Sequence, residues 1–452
     1  GLVLLFLALV GGQWVSQSPT WGPAFTWSGT SIAMAVMVYG FVASVLPVWL
    51  LLAPRDYLSA FMKIGTIGFL GIAILFVMPP LKMPAVTQFI DGSGPVFAGS
   101  LFPFAFITIA CGAVSGFHAL VSSGTSPKLI RCEPDARLVG YGSMLAESLV
   151  GVMAMIAAAT LDPGVYFAMN VGAGTLGPDA ASAARTIAGW GFTVSPEQLN
   201  ELARQMGEST LLSRTGGAPS LAVGMAAIMG GVFTGPGLAL WYHFAIMFEA
   251  VFILTTIDAG TRIGRFMLQE LLGQVSPALG RTSWYPSVLL TSFLVVIGWG
   301  YFLYQGVIDP LGGINSLWPL FGIANQLLAA VAFCVATTVL VKMGKMRYTW
   351  VSIVPLVWLA AATLTAGWQK VFSPDPKLGF LSHAQSLAGS SDPNAARMIF
   401  NDRLDAGLAL FFMTIVCVVI AASMREWVLV GRGRKAEGVN EAPFVESRLV
   451  EG

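Results

Sequence analysis

Residues 108–127 read TIACGAVSGFHALVSSGTSP, and the class of the protein follows from this stretch. Thr108, Cys111, Ser115, His118, Ser122 and Thr125 step by 3, 4, 3, 4 and 3 positions. At about 100° per residue these steps confine the six side chains to one arc of roughly 100° on a helix. Nearly every other residue in the stretch is apolar or glycine, and 97–107 upstream is mostly apolar too. The run 97–123 is therefore long enough to cross a hydrocarbon core of about 30 Å. Hydrocarbon offers no hydrogen-bond partner, so a polar stripe on such a helix has to face protein or water. The stretch ends in Ser122-Ser123-Gly124-Thr125-Ser126-Pro127. Pro127 has no N–H, which leaves the Ser123 carbonyl, four residues back, without its helical partner. Free carbonyls and hydroxyls at the end of a half-helix are how secondary transporters hold ions and substrates. The plainer reading is the cytoplasmic end of a span, with Pro127 as its stop signal.

Composition agrees with a membrane setting. Of 452 residues, 56% are hydrophobic and only 10% charged, with 24 Lys and Arg against 23 Asp and Glu. Soluble domains carry about 25% charged residues. This excludes a soluble globular enzyme and a disordered chain, and the near-neutral balance excludes a nucleic-acid binder. Apolar runs recur near 28–52, 57–78, 97–123, 138–160, 236–257, 285–305, 317–341, 349–370 and 406–424. Gly1–Val10 reads as the end of a further span begun upstream. The expectation is an all-α polytopic membrane helix bundle of about ten spans.

Alternating the loops gives an inside set, 53–57, 124–137, 258–284, 342–348 and the segment from 425, with 15 Lys and Arg. The longer outside set, 11–27, 79–96, 161–218, 306–316 and 371–405, has 7. This is the positive-inside signature, and it predicts a cytoplasmic tail over 431–452. Trp14, Trp21, Trp27, Trp284, Tyr285, Trp318, Tyr348, Trp350 and Trp427 fall at span ends, as interfacial rings do. The extracytoplasmic loop 161–218 contains Ser195-Pro196-Glu197, an N-cap and first turn for a short helix. The apolar stretch 220–233 is too short to span and reads as re-entrant or interfacial.

Several polar groups lie where lipid is expected. Glu147 shares a face with Gly140, Ser143, Gly151, Ala154 and Ala158, a small-residue stripe suited to close helix packing. A carboxylate there is costly unless paired or protonated, so Glu147 is a candidate for proton coupling or a structural ion pair. Glu249, on a face with Tyr242 and Thr256, has the same two readings. His118 and His243 lie in spans and are either interhelical hydrogen-bond donors or proton relays. Asp258, four residues before Arg262, suggests a helix ion pair. Asn325 and Gln326 sit beside a small face of Gly322, Ala329, Ala332 and Ala336. They form interhelical hydrogen bonds or line a pathway. The four cysteines show no CxxC spacing, hence no disulfide framework and no metal site. No phosphate loop, HExxH or GxSxG motif occurs, which argues against ATP-driven transport by this chain alone and against hydrolysis, and the expectation is a protein that is not an enzyme and has no cofactor.

The run Ala110 to Lys128 resembles the signature of the carbon starvation protein A (CstA) family. Similar matches are LLLAPRDYL (50–58), Lys82-Met83-Pro84-Ala85, Asp91-Gly92-Ser93-Gly94-Pro95, Trp241-Tyr242-His243-Phe244 and Phe248-Glu249-Ala250. Further matches are Asp258 to Arg262, Gly264 to Gln269, Ser316 to Ile323 and Asn325-Gln326. The resemblance covers about 11–430. It implies a transporter in the bacterial inner membrane, bringing in peptides or pyruvate with protons when carbon is scarce. It also implies the LeuT-like fold of the amino acid–polyamine–cation superfamily, two inverted five-helix repeats with broken first and sixth helices. The break at 122–127 would be one of these. The family carries further spans before the point where this sequence starts, so 1–430 would be a transporter domain lacking its N-terminal spans, with half of a site built between repeats. On this reading Ser115, His118, Ser122, Ser123, Gly124, Thr125, Asn325 and Gln326 line the substrate and ion pathway. Glu147, Glu249, His118 and His243 couple protons, and the partners are lipid, a small substrate and protons. A non-transporting scaffold subunit and a channel are the alternatives.

Overall fold

In hydrocarbon each backbone N–H and C=O must be satisfied within the protein, which a helix does by itself. The computed structural model describes residues 2–124, 126–232, 237–309, 313 and 316–434, and all regular structure among them is helical. Among the described residues, eight helical segments are long and apolar enough to cross a membrane: Leu52–Val77, Leu101–Gly124, Asp135–Ala159, Leu238–Gly273, Tyr285–Ile308, Leu317–Lys342, Trp350–Phe372 and Ala395–Gly431. Gly29–Val45 and Gly217–Val232 are apolar but shorter, and Leu2–Gln17 forms a helix from the first apolar run. The chain divides into two units, Gly1–Ala98 with Val121–Leu317, and Gly99–Leu120 with Trp318–Gly452.

In the first unit the core gathers around Gly217–Val232. Ala222, Val223, Met225, Ala226, Ile228 and Met229 are all buried, against the helices at 52–77, 143–159 and 238–273. Gly224 makes this possible, since a Cβ there would lie 2.1 Å from the Ala157 carbonyl oxygen. Of the stretch expected at 220–233, residues 220–229 are thus largely enclosed by protein. The same core continues into short helices between 163 and 205, through Phe167, Ala168, Met169, Ile187 and Met206. Pro196–Gln205 starts as anticipated, with Ser195 Oγ accepting the Gln198 N–H at 3.1 Å. Two glycines of the small-residue stripe around Glu147 stand clear of other helices among the described residues. Gly140 and Gly151 have nothing within 4 Å of an added Cβ.

The Asp258–Arg262 pair is corrected by the fold. Asp258 Oδ2 lies 2.7 Å from Arg55 Nη1 and accepts the Tyr39 hydroxyl at 3.0 Å. Arg262 instead donates to the carbonyls of Ala43 and Leu46, and Arg265 to that of Ser44. The reason is the end of Gly29–Val45, where Pro47 follows. The last carbonyls of a helix have no internal partner and carry the negative end of its dipole, and the guanidinium groups of Arg262 and Arg265 donate to them. Asp258 is 1% exposed. Asp258→Leu is therefore expected to destabilise the protein by about 1–3 kcal/mol, because Arg55 loses its buried ionic partner and keeps only the longer 3.5 Å ion pair with Asp56. The double variant Arg55→Leu/Asp258→Leu should recover most of that loss. Thermal unfolding in detergent reads both, and additive losses in the double variant would show that the two residues do not act as a pair.

In the second unit Gly367 gives the helices at 350–372 and 395–431 their close approach, with an added Cβ 2.6 Å from Met413 Sδ. Thr337 and Ser352 share a hydrogen bond of 2.7 Å, and Trp427 Nε1 donates to Thr338 Oγ1 at 2.8 Å. The short helix Phe380–Ser386 packs on both 350–372 and 395–431.

Candidate functional site: an interrupted helix

The polar stripe does not lie on one continuous helix. Helix Leu101–Ile109 stops at Ala110, whose φ of 48° is left-handed. A single 3-10 turn follows over Ala110–Gly112, then non-helical residues, and a new helix begins at Gly116 and runs to Gly124. The interruption at 110–115 falls in the middle of the apolar run, ahead of the break expected at 122–127. Ser122 and Ser123 are helical, Ser126–Leu129 is a further short helical turn, and Thr125 lies outside the described residues.

A break inside an apolar segment exposes carbonyls at one half-helix end and amides at the other. The helix Leu317–Lys342 supplies their partners. Gln326 Nε2 donates to the Phe106 carbonyl at 2.6 Å, and Gln326 Oε1 accepts the Thr363 hydroxyl at 3.2 Å. Trp318 Nε1 donates to the Thr108 carbonyl at 3.1 Å. Asn325 serves both sides of the break. Its Nδ2 donates to the Val114 carbonyl at 3.0 Å, and its Oδ1 accepts the Phe117 N–H at 3.1 Å. Ser115 Oγ accepts the His118 N–H at 3.1 Å, as an N-cap does, and receives the Cys111 thiol at 2.8 Å. Gln326 is 0% exposed and Asn325 6%. This registry requires two glycines. A Cβ on Gly116 would lie 2.1 Å from the Asn325 carbonyl oxygen, and one on Gly322 would lie 2.4 Å from that of Ile107.

Ser115, Asn325 and Gln326 come together at the break, with Asn325 and Gln326 in the hydrogen-bonding role. His118, Ser122 and Ser123 are exposed along the following helix, and Gly124 is half-buried. Glu147 is exposed on Ser143–Ala159. Glu249 and His243 are half-buried on Leu238–Gly273, the His243 ring against Tyr242 at 5.3 Å. No hydrogen bond joins Glu249 to His243 among the described residues. A group not anticipated is Lys370, fully buried near Asp402 and Asp405. The signal was available. Lys63 and Lys370 are the only Lys or Arg inside the apolar runs, and a charge in such a run marks function by default. Lys63 bonds Thr255 Oγ1 at 3.0 Å.

Chemically, the break places two half-helix ends, of opposite partial charge, around a short non-helical segment. Such an arrangement can hold small ions and polar substrate groups.

Residues 1–366 match the family described as "Carbon starvation protein CstA". The chain is 56% identical over 434 residues to "Peptide transporter CstA" of Escherichia coli strain K12, covering 92% of this chain and 62% of that protein. It is 51% identical to the protein of that name in Helicobacter pylori strain 26695, over 94% of this chain and 64% of that one. It is 47% identical over 478 residues to "Pyruvate/proton symporter BtsT" of Escherichia coli K12, covering 98% of this chain and 67% of that protein. The chain therefore spans somewhat less than two thirds of the first two relatives. No solved structure matches it.

Proposed function

Since the chain belongs to the carbon starvation protein CstA family, we propose that it forms part of a secondary transporter taking up peptides or pyruvate with protons. The relatives' names, a peptide transporter and a pyruvate/proton symporter, support the substrate classes. The observation that carries the mechanism is the interruption at 110–115, held open by Asn325 and Gln326. An unwound segment in mid-span is how transporters of the inverted-repeat, LeuT-like kind build a site, and we place this chain in that fold with about ten spans. Ser115, His118, Ser122, Ser123, Gly124 and Thr125 then line the pathway along the interrupted helix. Glu147, Glu249, His118 and His243 are the proton-coupling candidates. The loop charge asymmetry supports residence in the bacterial inner membrane, with 161–218 outside and 431–452 inside.

The test is uptake of labelled pyruvate and of a labelled dipeptide by the full-length protein in proteoliposomes. Saturable uptake, concentrated above the outside level only when the outside is more acidic, is the expected result. Uptake that neither saturates nor responds to the gradient would indicate a channel, and no uptake of either substrate would favour a scaffold subunit.

A further inference from the structure

A buried charge cluster lies in the second unit, apart from the interrupted helix. Lys370 is 0% exposed, near the end of Trp350–Phe372, with its Nζ 5.4 Å from the centre of the Phe380 ring. Asp402 and Asp405, three apart on Ala395–Gly431, share a face and act electrostatically on Lys370. Asp402 Oδ2 is 2.8 Å from His383 Nδ1 on the short helix Phe380–Ser386. Exposure falls inward, from the His383 side chain at 36% to Asp402 at 9% and Asp405 at 1%. Asp405 Oδ2 is buried and has no hydrogen-bond partner among the described residues.

With His383 neutral, one ammonium faces two carboxylates, a net negative charge in a buried site. Burying an uncompensated charge is costly, and one further positive charge removes the imbalance. A carboxylate oxygen that accepts no hydrogen bond has no need to be charged. Other titratable groups nearby do not supply the missing charge. Asp375, Lys377 and Arg403 are exposed, Arg397 is half-buried five positions before Asp402 and eight before Asp405 and does not act electrostatically on Asp405, and Leu101–Ile109, which packs on 350–372, has no titratable side chain.

We propose that Lys370, His383, Asp402 and Asp405 form a proton-binding site, filled through His383, with Asp405 as the group that holds the proton. A proton arriving at His383 Nε2 lets the Nδ1 proton pass to Asp402 Oδ2, and from Asp402 to Asp405. His383 ends neutral, in its other tautomer, and the buried cluster ends neutral as well. The inference deepens the proton-coupled reading above and rests on it only for its role in uptake.

Infrared difference spectra of the full-length protein between acid and alkaline pH test proton binding without any substrate. A protonated-carboxyl band that disappears reversibly as pH rises is expected, and Asp405→Asn should remove it. Lys370→Gln takes away the cation that favours ionised Asp405. It should therefore move the midpoint up by about one to three pH units, which a merely structural lysine would not do. A titration unchanged in Asp405→Asn, or an unmoved midpoint in Lys370→Gln, overturns the proposal. So does a band absent at every pH with sodium binding in its place. In proteoliposomes, Asp405→Asn should lose pyruvate or dipeptide accumulation driven by a pH gradient while keeping exchange. Accumulation equal to the parent's overturns the coupling role. If the band titrates as described and the parent concentrates neither substrate, the proton site stands and the transport reading fails.

Discussion

Gly116→Ala is expected to destabilise the second unit by about 3 kcal/mol or more, and to lower the yield of folded protein. Alanine is the better helix former by about 1 kcal/mol, so propensity alone predicts a gain. Packing reverses the sign. The new Cβ would lie 2.1 Å from the Asn325 carbonyl oxygen and 2.9 Å from the Ala329 amide nitrogen. Both are backbone atoms of Leu317–Lys342, so relief requires moving a helix, and overpacking of this kind costs about 1–3 kcal/mol even where side chains can give way. Gly151→Ala is the matched control, with nothing within 4 Å of its Cβ. Thermal unfolding in detergent compares the two. Equal midpoints would mean that the interruption does not sit against 317–342 as described.

Asn325→Leu should be nearly as severe, by a different route. Leucine keeps the approximate volume but removes both hydrogen bonds across the break, leaving the Val114 carbonyl and the Phe117 amide without their partner. Each unsatisfied group costs about 1–3 kcal/mol, so a loss of about 2–6 kcal/mol is expected. Hydrogen exchange distinguishes this from a general loosening. Exchange should rise at Phe117 in the variant, while Gln198, whose amide bonds Ser195 Oγ in the first unit, keeps its protection. A variant whose exchange rises equally at both amides would not support a bridging role for Asn325.

The residues that carry these effects differ in how far they could be read beforehand. Asn325 and Gln326 stand out in an apolar run, and a polar amide there needs a partner, so an interhelical hydrogen bond was foreseeable. Which groups they meet was not. The 3-4-3-4-3 spacing from Thr108 to Thr125 assumes an unbroken helix, and nothing local marks Ala110, a residue that rarely takes positive φ, as the point where it stops. Pro127 is the strongest breaker in the stretch, yet the interruption lies well before it. Asp258 shows the same limit. Its spacing to Arg262 permits an ion pair, but the orphan carbonyls at the end of Gly29–Val45 compete for that arginine from 216 and 219 positions away.

From the residues alone came the membrane class, the helical architecture, the places of the apolar runs and the family. Each depends on composition, on hydropathy within one span, or on motifs contiguous in the chain. The tertiary structure decided where the interrupted helix breaks, what Asn325 and Arg262 bond to, and that Lys370 meets Asp402 and Asp405. At the break, the partners are separated by 208 to 220 positions. Local periodicity states that a buried polar group must be satisfied, and only the packing of distant helices determines by which atom.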